Sequence, residues 1–450
     1  MDELSLDVRL DGHADPVGVL VRDRNGGLAF AYRPDYLSDP DATLISMSLP
    51  LTPEPFGDEQ TRPFFDNLLQ ERDGALADIM AREGIARDDV AGLLFHLGKD
   101  CAGALSILPR GSPPVRIPGD YARDYIPLEP ERLRAIVASL HTRGRLPEDM
   151  RDPSPLAGVQ SKIALTLLPD GRLAEPLPGS GAPTTHILKV PDQTHLRDAR
   201  LEAEAMELSR SLGIDTADTV VVPVAGIDAL LATRFDRALD RDGRIVRVHQ
   251  EDFAQALGLP PSLKYERRGT EERRFDTRAI RRVLEATSDP AFEKDRFIRA
   301  TLFDLLVGNA DGHAKNFALL FEGRRRIRMA PRYDILPTRL DPNLTDELAY
   351  RIGDARTIGE VTVENFDRFL HALGIESAAA KRRIRSQHMR EMTSALADRL
   401  ESLGRSGMKP FADLVASNIR LLAGNLAVPV PDAAKERDAY VGRAGGWLLS

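Results

Sequence analysis

The sequence has little cysteine, no long apolar run and no excess of basic residues, and each shortage excludes a class of protein. The single cysteine, Cys101, can form neither an internal disulfide nor a cysteine-based zinc site, which agrees with a reducing compartment. No stretch approaches the roughly 18 apolar residues that a membrane-spanning helix needs. The acidic residues 1–3 lack the basic region that begins a signal peptide. We therefore expect a cytoplasmic protein with no membrane partner, in which Cys101 is a small buried residue.

Composition and charge describe an ordinary globular chain. Hydrophobic residues make up 42% and charged residues 29% of the 450 residues, both near the usual globular values. The net charge of −8 argues against a surface that binds nucleic acid over its whole extent. Single domains usually stop growing at about 250 to 300 residues. The chain is longer than that, so we expect two or three cores in a multi-lobed protein.

The first part of the chain predicts a β-rich module followed by a connector. Apolar and polar residues alternate through residues 4–32, with turn-forming residues between the runs, which predicts an antiparallel meander. Two helical patterns follow between residues 64 and 97, and they are expected to pack on the meander. Prolines and glycines are dense from 109 to 130, which is typical of a connector. We place an N-terminal subdomain at residues 1–115 and a connector at 116–150.

The rest of the chain predicts a sheet followed by helices. Short apolar runs at 163–168, 185–190, 220–224 and 230–234 predict strands, with one helix from about 198 to 212 that ends at Gly213. From Glu251 onward the apolar residues recur at helical spacing, which predicts helices that include 362–373, 376–402 and 409–424. A cleft between a sheet lobe and a helical lobe is a common place for a ligand. The predicted domains are a sheet-based nucleotide lobe at 151–248, a helical catalytic lobe at 249–430 and a C-terminal tail at 431–450.

The densest polar chemistry lies in residues 308–317 (GNADGHAKNF), directly after a long apolar helical pattern. Asp311 and Asn316 are five residues apart, as are the aspartate and asparagine of the kinase catalytic loop. In kinases that aspartate accepts the proton of the substrate hydroxyl and the asparagine binds magnesium. Asp334 follows eighteen residues later, where a second magnesium-binding carboxylate is expected. The pattern predicts phosphoryl transfer with Asp311 as the base and Asn316 and Asp334 as metal ligands.

A lysine at the end of a predicted strand supports this interpretation. Lys189 ends the apolar run, and Glu202 or Glu204 follows in the next helix. In protein kinases a strand lysine paired with a helix glutamate orients the nucleotide phosphates. We therefore assign Lys189 to the phosphates, with a simple edge-strand charge as the alternative.

Two features leave other interpretations open. His313 could join Asp311 and Asp334 as a metal ligand of a hydrolase, although the lysine-bearing strand would then be unexplained. Residues 158–162 (GVQSK) resemble a phosphate-binding loop but lack the full spacing of either glycine-rich motif. Ser161 and Lys162 could equally be turn residues.

Taken together, the motifs resemble the HipA family of bacterial serine/threonine kinases, which are the toxins of HipBA-type toxin–antitoxin modules. The resemblance covers most of the chain. The matching segments are 48–51 (SLPL), 64–69 (FFDNLL), 98–104 (GKDCAGA), 157–162 (AGVQSK), 186–189 (HILK), 234–237 (RFDR), 249–252 (HQED), 264–266 (KYE), 311–317 (DGHAKNF) and 333–334 (YD). It implies an α+β, two-lobed protein-kinase-like (HipA-like) fold with an N-terminal β-rich subdomain and a helical C-terminal lobe.

The resemblance also implies a site for ATP and Mg²⁺. Residues 157–162 would be the phosphate loop, and Glu202 the helix glutamate. Backbone near Thr233 and Phe235 would hold adenine, and Asp236 the ribose. The implied nucleotide set is Ala157, Gly158, Val159, Gln160, Ser161, Lys162, Lys189, Glu202, Thr233, Arg234, Phe235, Asp236, His313, Lys315, Asn316, Tyr333 and Asp334.

Regulation is the point at which the sequence departs from the family. Members are inactivated by autophosphorylation on a serine commonly three residues before the glycine of the phosphate loop. Here that position is Pro155, so the adjacent Ser154 is the candidate, with Ser161 as a second.

The implied partners are those of a toxin. They are a HipB-like helix-turn-helix antitoxin, operator DNA mainly through that antitoxin, and a translation protein as substrate. Glutamyl-tRNA synthetase is the best-known target of the family, and its phosphorylation would arrest growth and promote persistence. Two other functions remain open: a catalytically silent corepressor held by an antitoxin, and a lipid or small-molecule kinase on a related fold.

Overall fold

The structure is a computed structural model that describes residues 2–69, 73–147, 161–323 and 326–440, without the side chains of 73–75, 77 and 78. Its internal contacts define two units. The first comprises Met1–Arg200, Ala217–Ser262 and Ala318–Ala330, and the second Leu201–Thr216, Leu263–Phe317 and Pro331–Ser450. Within the described ranges no helix has both the length and the apolar character needed to cross a membrane.

An antiparallel sheet with helices packed against it forms the N-terminal part of the first unit. Its elements are β1 (Leu4–Leu10), β2 (Gly18–Arg22), β3 (Leu28–Tyr32), α1 (Pro34–Leu37), α2 (Asp58–Asp66), α3 (Asp73–Glu83), α4 (Val90–Leu97) and β4 (Leu105–Pro109). The strand order is β3-β2-β1-β4. Phe30 of β3, Phe64 of α2 and Leu93 of α4 share one buried core, to which Cys101 also belongs. The predicted meander, the packing of helices on it and the buried cysteine are confirmed. The first of the two helical patterns, however, forms two helices, α2 and α3.

A larger antiparallel sheet follows in the same unit. Its elements and the segments after it are β5 (Tyr125–Pro127), α5 (Pro130–Arg143), β6 (Lys162–Leu167), β7 (Leu173–Pro176), β8 (His186–Lys189), α6 (Asp198–Ser211), β9 (Thr219–Val224), β10 (Ile227–Thr233), β11 (Arg237–Leu239) and β12 (Ile245–Arg247). From Leu201 onward, α6 belongs to the second unit. The strand order of the sheet is β5-β7-β6-β8-β10-β9. The strands predicted at 163–168, 185–190, 220–224 and 230–234 and the helix at 198–212 are therefore confirmed.

The predicted connector contains regular structure that the sequence analysis did not predict. Strand β5 pairs with β7, and Ile136 and Leu140 of α5 share a core with Leu188 of β8. The density of proline argued against a helix here. Pro130, however, occupies the first turn of α5, where a missing backbone N–H costs nothing. The proposed domain boundaries themselves stay a prediction.

The last part of the chain is mostly helical. Its elements are β13 (His249–Asp252), α7 (Phe253–Ala256), α8 (Thr277–Glu285), α9 (Pro290–Val307), β14 (Ala318–Glu322), β15 (Arg326–Met329), α10 (Val363–Ala372), α11 (Ala378–Ala397), α12 (Leu400–Arg405), α13 (Lys409–Asn425) and α14 (Asp432–Lys435). Two corrections follow. The helix expected at 376–402 is divided into α11 and α12, and the sheet β13-β14-β15, which belongs to the first unit, was missed. Its apolar run at 318–321 does not alternate, so periodicity alone could not identify a strand.

Helix α9 is the centre of the second unit. Asp289 caps it by accepting a hydrogen bond from the backbone nitrogen of Phe292, and Pro290 stands in its first turn. The ring of Phe297 in α9 packs against those of Phe317 and Tyr350, with centroids 5.1 and 5.7 Å away. These aromatic contacts pack the middle of α9 against Phe317, at the end of the loop that follows the helix.

Candidate active site

The loop after α9 carries Asp311 and Asn316. Gly308 ends the helix with a φ of +80°, which favours glycine, and a Cβ there would lie 2.8 Å from Cδ2 of Leu414. The side-chain nitrogen Nδ2 of Asn316 donates to the backbone oxygen of Asp311 at 2.9 Å. This bond holds the predicted base and the predicted metal ligand side by side, and it leaves the amide oxygen of Asn316 as the atom suited to a cation.

A buried polar network that the sequence analysis missed fixes this loop. Nη2 of Arg332 donates to both carboxylate oxygens of Asp304, at 2.8 and 3.0 Å, and Nη1 donates to the backbone oxygen of Asn316 at 3.2 Å. Asn309 donates to Asp304 at 3.0 Å and accepts from the backbone nitrogen of Asp311 at 3.0 Å. One signal was visible in the sequence: Asp304 stands within the apolar stripe of α9, where a carboxylate requires a partner.

The electrostatics of Asp311 indicate that two carboxylates share the site. Burial raises the pKa of Asp311, and the nearby carboxylate of Asp334 raises it further. Tyr265 and Lys264 oppose the shift, and the phenol oxygen of Tyr265 donates to Oδ1 of Asp311 at 2.7 Å. Tyr265 is a second contact that the sequence analysis did not predict, although the KYE segment was noted.

Asp334 lies in a strained segment beside the loop. Its φ is +59°, in the left-handed region that residues other than glycine rarely adopt, and backbone strain of this kind clusters at active sites. The preceding residue, Tyr333, donates from its hydroxyl to the backbone oxygen of Lys315 at 2.7 Å. His313 and Lys315 are buried in the same loop. The second unit thus brings together Asp311, Asn316, Asp334 and their neighbours.

The donor atoms of this site fit magnesium better than a protein-only metal centre. Carboxylate and amide oxygens suit a hard cation, and Mg²⁺ commonly takes one or two carboxylates together with phosphate oxygens. A divalent cation bound here would also offset the charge of Asp334, which raises the pKa of Asp311. In the described part of the chain, no three histidine, cysteine, aspartate or glutamate side chains cluster as metal ligands.

The first unit holds the predicted phosphate ligands. Lys162 of β6 and Lys189 of β8 are directly paired in the antiparallel register, so both side chains lie on one face of the sheet. Two ammonium groups on one face of a sheet are suited to binding a phosphate group. The backbone oxygen of Ser161 accepts from the nitrogen of Val190 at 2.9 Å. Ser154, Ala157, Gly158, Val159 and Gln160 lie outside the described residues.

The predicted hinge follows β10. Thr233 is exposed, and its hydroxyl lies 3.2 Å from Nε2 of His186. Asp236 is buried and accepts from Nε and Nη2 of Arg234 at 3.0 and 2.9 Å, and from the backbone nitrogen of Gly103 at 3.1 Å. Burial alone would raise the pKa of Asp236, but Arg234 and Arg237 hold it well below the ordinary value. The assignment of Asp236 to the ribose stays a prediction, and its contacts favour a structural ion pair.

The helix glutamate belongs to the other unit. Glu202 lies in α6 and is 2% exposed. A carboxylate this deeply buried requires polar partners, as the lysine–glutamate hypothesis assumes. Its assignment to the nucleotide site stays a prediction.

Two family models match the sequence over most of its length. The HipA N-terminal domain matches residues 6–108, and the HipA-like C-terminal domain matches residues 154–401. The second match covers both the lysine-bearing strand β8 and the loop after α9. It ends before α13.

Individual proteins match along most of the chain as well. "Putative kinase Y4mE" of Sinorhizobium fredii is 36% identical over 422 residues, which are 93% of this chain and 98% of that protein. "Serine/threonine-protein kinase toxin HipA" of Shewanella oneidensis is 28% identical over 327 residues, 70% of this chain and 72% of that protein. Among solved structures, the Shewanella oneidensis complex of HipA, HipB and operator DNA contains a similar chain. It has a TM-score of 0.75 at 23% identity and covers 96% of this chain and 100% of that one, which confirms the predicted α+β fold.

Proposed function

This chain belongs to the HipA family of bacterial kinase toxins, and on that premise we propose that it is an ATP- and magnesium-dependent serine/threonine protein kinase, the toxin of a type II toxin–antitoxin module. One observation carries the proposal. Asp311 and Asn316 are hydrogen-bonded within one loop, and the carboxylate of Asp334 is close enough to raise the pKa of Asp311. A base, an oxygen-bearing amide and a second carboxylate are the groups that phosphoryl transfer requires of a protein.

Each side chain has a definite role in this proposal. Asp311 accepts the proton of a substrate serine or threonine hydroxyl as that oxygen attacks the terminal phosphoryl group. Asn316 and Asp334 hold magnesium, which supplies charge neutralisation at the phosphates. Lys189 and its strand partner Lys162 bind the phosphates of ATP, and their opposed positions on one sheet face support this assignment.

The remaining nucleotide contacts are assigned with one change. Backbone near Thr233 and Phe235 is assigned to adenine, and Glu202 to the orientation of the phosphate-binding lysine. Asp236 is removed from the ribose set, because Arg234 and Arg237 already occupy its carboxylate. We assign its function to stabilising the first unit.

The partners are proposed from the relatives. The similar HipA of Shewanella oneidensis was solved with HipB and operator DNA, and we propose a HipB-type antitoxin for this chain, with operator contact mainly through that partner. The proposed substrate is a translation protein such as glutamyl-tRNA synthetase, whose phosphorylation would arrest growth and promote persistence. Autophosphorylation on Ser154, outside the described residues, is proposed as the step that switches the kinase off.

Induced expression of the wild-type chain and of Asp311→Asn, followed by phosphoproteomics, tests this function. The wild type should arrest growth and add phosphate to serine or threonine of a translation protein, and Asp311→Asn should do neither. Asp354→Asn, which changes an exposed carboxylate of the same unit, is the matched control and should behave as the wild type. Equal arrest and equal phosphorylation by the Asp311 variant would contradict the proposal.

A further inference from the structure

Tyr265 is in direct contact with the proposed base, and no sequence motif predicted this contact. Its hydroxyl donates to Oδ1 of Asp311 at 2.7 Å, a short charge-assisted hydrogen bond. Because Oδ1 is occupied in this way, Oδ2 is the oxygen left for an acceptor hydroxyl. Burial raises the pKa of Tyr265, and the charge of the Asp311 carboxylate raises it further. The phenol therefore remains a donor at physiological pH.

The backbone around Tyr265 is tied to the rest of the second unit on both sides. The backbone oxygen of Lys264 accepts from the nitrogen of Ala314, which lies in the loop that carries Asp311. The nitrogen of Glu266 donates to the backbone oxygen of Ala349 at 2.9 Å. A side chain held at both flanking residues can fix the direction of the group that it bonds.

The ring of Tyr265 is held independently of its hydroxyl. The guanidinium of Arg267 stacks over the ring, 4.1 Å from its centroid, and Arg268 lies 5.3 Å away. The imidazole of His313 meets the ring edge-on, with centroids 5.1 Å apart and an interplanar angle of 80°. Removal of the hydroxyl alone should therefore leave the ring in place.

The backbone of Asp311 is fixed as well, since its nitrogen donates to Asn309 and its oxygen accepts from Asn316. These two bonds hold only the backbone of Asp311. They do not fix its side-chain torsions, so they do not set the orientation of the carboxylate. The hydrogen bond from Tyr265 supplies that constraint. The groups that surround the carboxylate are Tyr265, Asp334, Lys264 and Arg267.

We propose that Tyr265 is a positioning residue: its hydroxyl holds Oδ1 of Asp311 so that Oδ2 is aimed at the acceptor hydroxyl. The inference rests on the proposed kinase function and adds a residue to its machinery. Tyr265 acts through Asp311, so its loss should slow turnover without weakening the binding of ATP.

The test compares Tyr265→Phe with the wild type in phosphate transfer from labelled ATP, with dephosphorylated casein and the chain itself as acceptors. Loss of one hydrogen bond to a charged group should lower kcat about tenfold or more. The KM for ATP should stay within about twofold, because the ring and the loop backbone are kept. A kcat within about twofold of the wild type would overturn the inference. If the KM for casein rises at the same time, Tyr265 contacts the acceptor protein and does not position Asp311.

Tyr350→Phe is the matched control. It removes another phenol hydroxyl of the second unit, which lies 2.7 Å from the hydroxyl of Thr301. Tyr350 has no proposed contact with Asp311, so its variant should keep the wild-type kcat. If Tyr350→Phe lowers kcat as much as Tyr265→Phe, the effect is a general loss of stability and the inference is wrong.

A second measurement separates this inference from the function on which it rests. Thermal unfolding of Tyr265→Phe, Asp311→Ala and the double variant measures the coupling of the two side chains without any activity. The inference predicts clearly non-additive shifts, and additive shifts would overturn it. If the wild type transfers no phosphate to either acceptor, the proposed function fails, and the unfolding measurement alone decides the role of Tyr265.

Discussion

Arg332 offers the sharpest test of the buried network beneath the active-site loop. Its side chain is 4% exposed and that of its partner, Asp304, is 8% exposed. Burial raises the pKa of Asp304, and Arg332 is the largest effect that opposes this rise. In Arg332→Met the carboxylate would stay buried beside the neutral amide of Asn309. Breaking a buried ion pair from one side costs about 3 to 5 kcal/mol of unfolding free energy.

This cost can be converted into a melting temperature and a pH dependence. In domains of roughly 150 to 250 residues, 1 kcal/mol shifts Tm by about 2 to 4 °C, so we expect Arg332→Met to melt roughly 6 to 20 °C lower. Without Arg332 the pKa of Asp304 should rise further in the folded state. A folded carboxyl with a raised pKa holds a proton that the unfolded chain has lost, so stability falls as pH rises. The loss of melting temperature in Arg332→Met, relative to the wild type, should therefore be larger at pH 8 than at pH 5.

Scanning calorimetry of both proteins at these two pH values measures the effect. Arg368→Met is the control, because Arg368 pairs with Asp354 at the surface, where an ion pair contributes about 1 kcal/mol or less. The double variant Asp304→Leu, Arg332→Met should melt above Arg332→Met, since it leaves no unpaired charge. The reasoning is refuted if Arg332→Met melts as the Arg368 control does, or if its deficit is larger at pH 5.

Two further predictions concern the first unit. Asp236→Asn should lower Tm by several degrees, because it breaks the buried ion pairs of Asp236 with Arg234 and Arg237. The KM for ATP should stay unchanged. A variant that melts normally but has a raised KM for ATP would restore the assignment of Asp236 to the ribose. Burial raises the pKa of Glu251 from 4.5 to about 8, against hydrogen bonds from Ser46 and Met47. Between these pH values the folded carboxyl keeps a proton that the unfolded chain has lost, so stability should fall as pH rises to about 8. The melting temperature of Glu251→Gln should depend less on pH over this window, and an unchanged slope would contradict the assignment.

Local patterns predicted most of the elements and failed where tertiary context decides. The alternation in residues 4–32 and the apolar stripe of α9 are signals carried by neighbouring residues, and both elements formed as expected. The apolar run of β14 has no alternation, and its strand character comes from pairing with β13 and β15. Proline density concealed α5, although Pro130 is compatible with the first turn of a helix.

The same distinction applies to the active site. The five-residue spacing of Asp311 and Asn316 was visible because a single loop carries both groups. The contact of Tyr265 with Asp311 spans 46 positions, and that of Asp304 with Arg332 spans 28. No periodicity relates such pairs, so only the folded chain could identify the side chains that support the base.

Phosphate transfer by purified protein tests the central claim most directly. Asp311→Asn keeps an oxygen that can accept from Tyr265 and keeps the backbone bond to Asn316, so the variant should fold and melt as the wild type does. With labelled ATP and magnesium, the wild type should phosphorylate serine or threonine, and the variant should lose several orders of magnitude in turnover. A folded Asp311→Asn protein that transfers phosphate at close to the wild-type rate would contradict the claim that Asp311 is the base of a kinase.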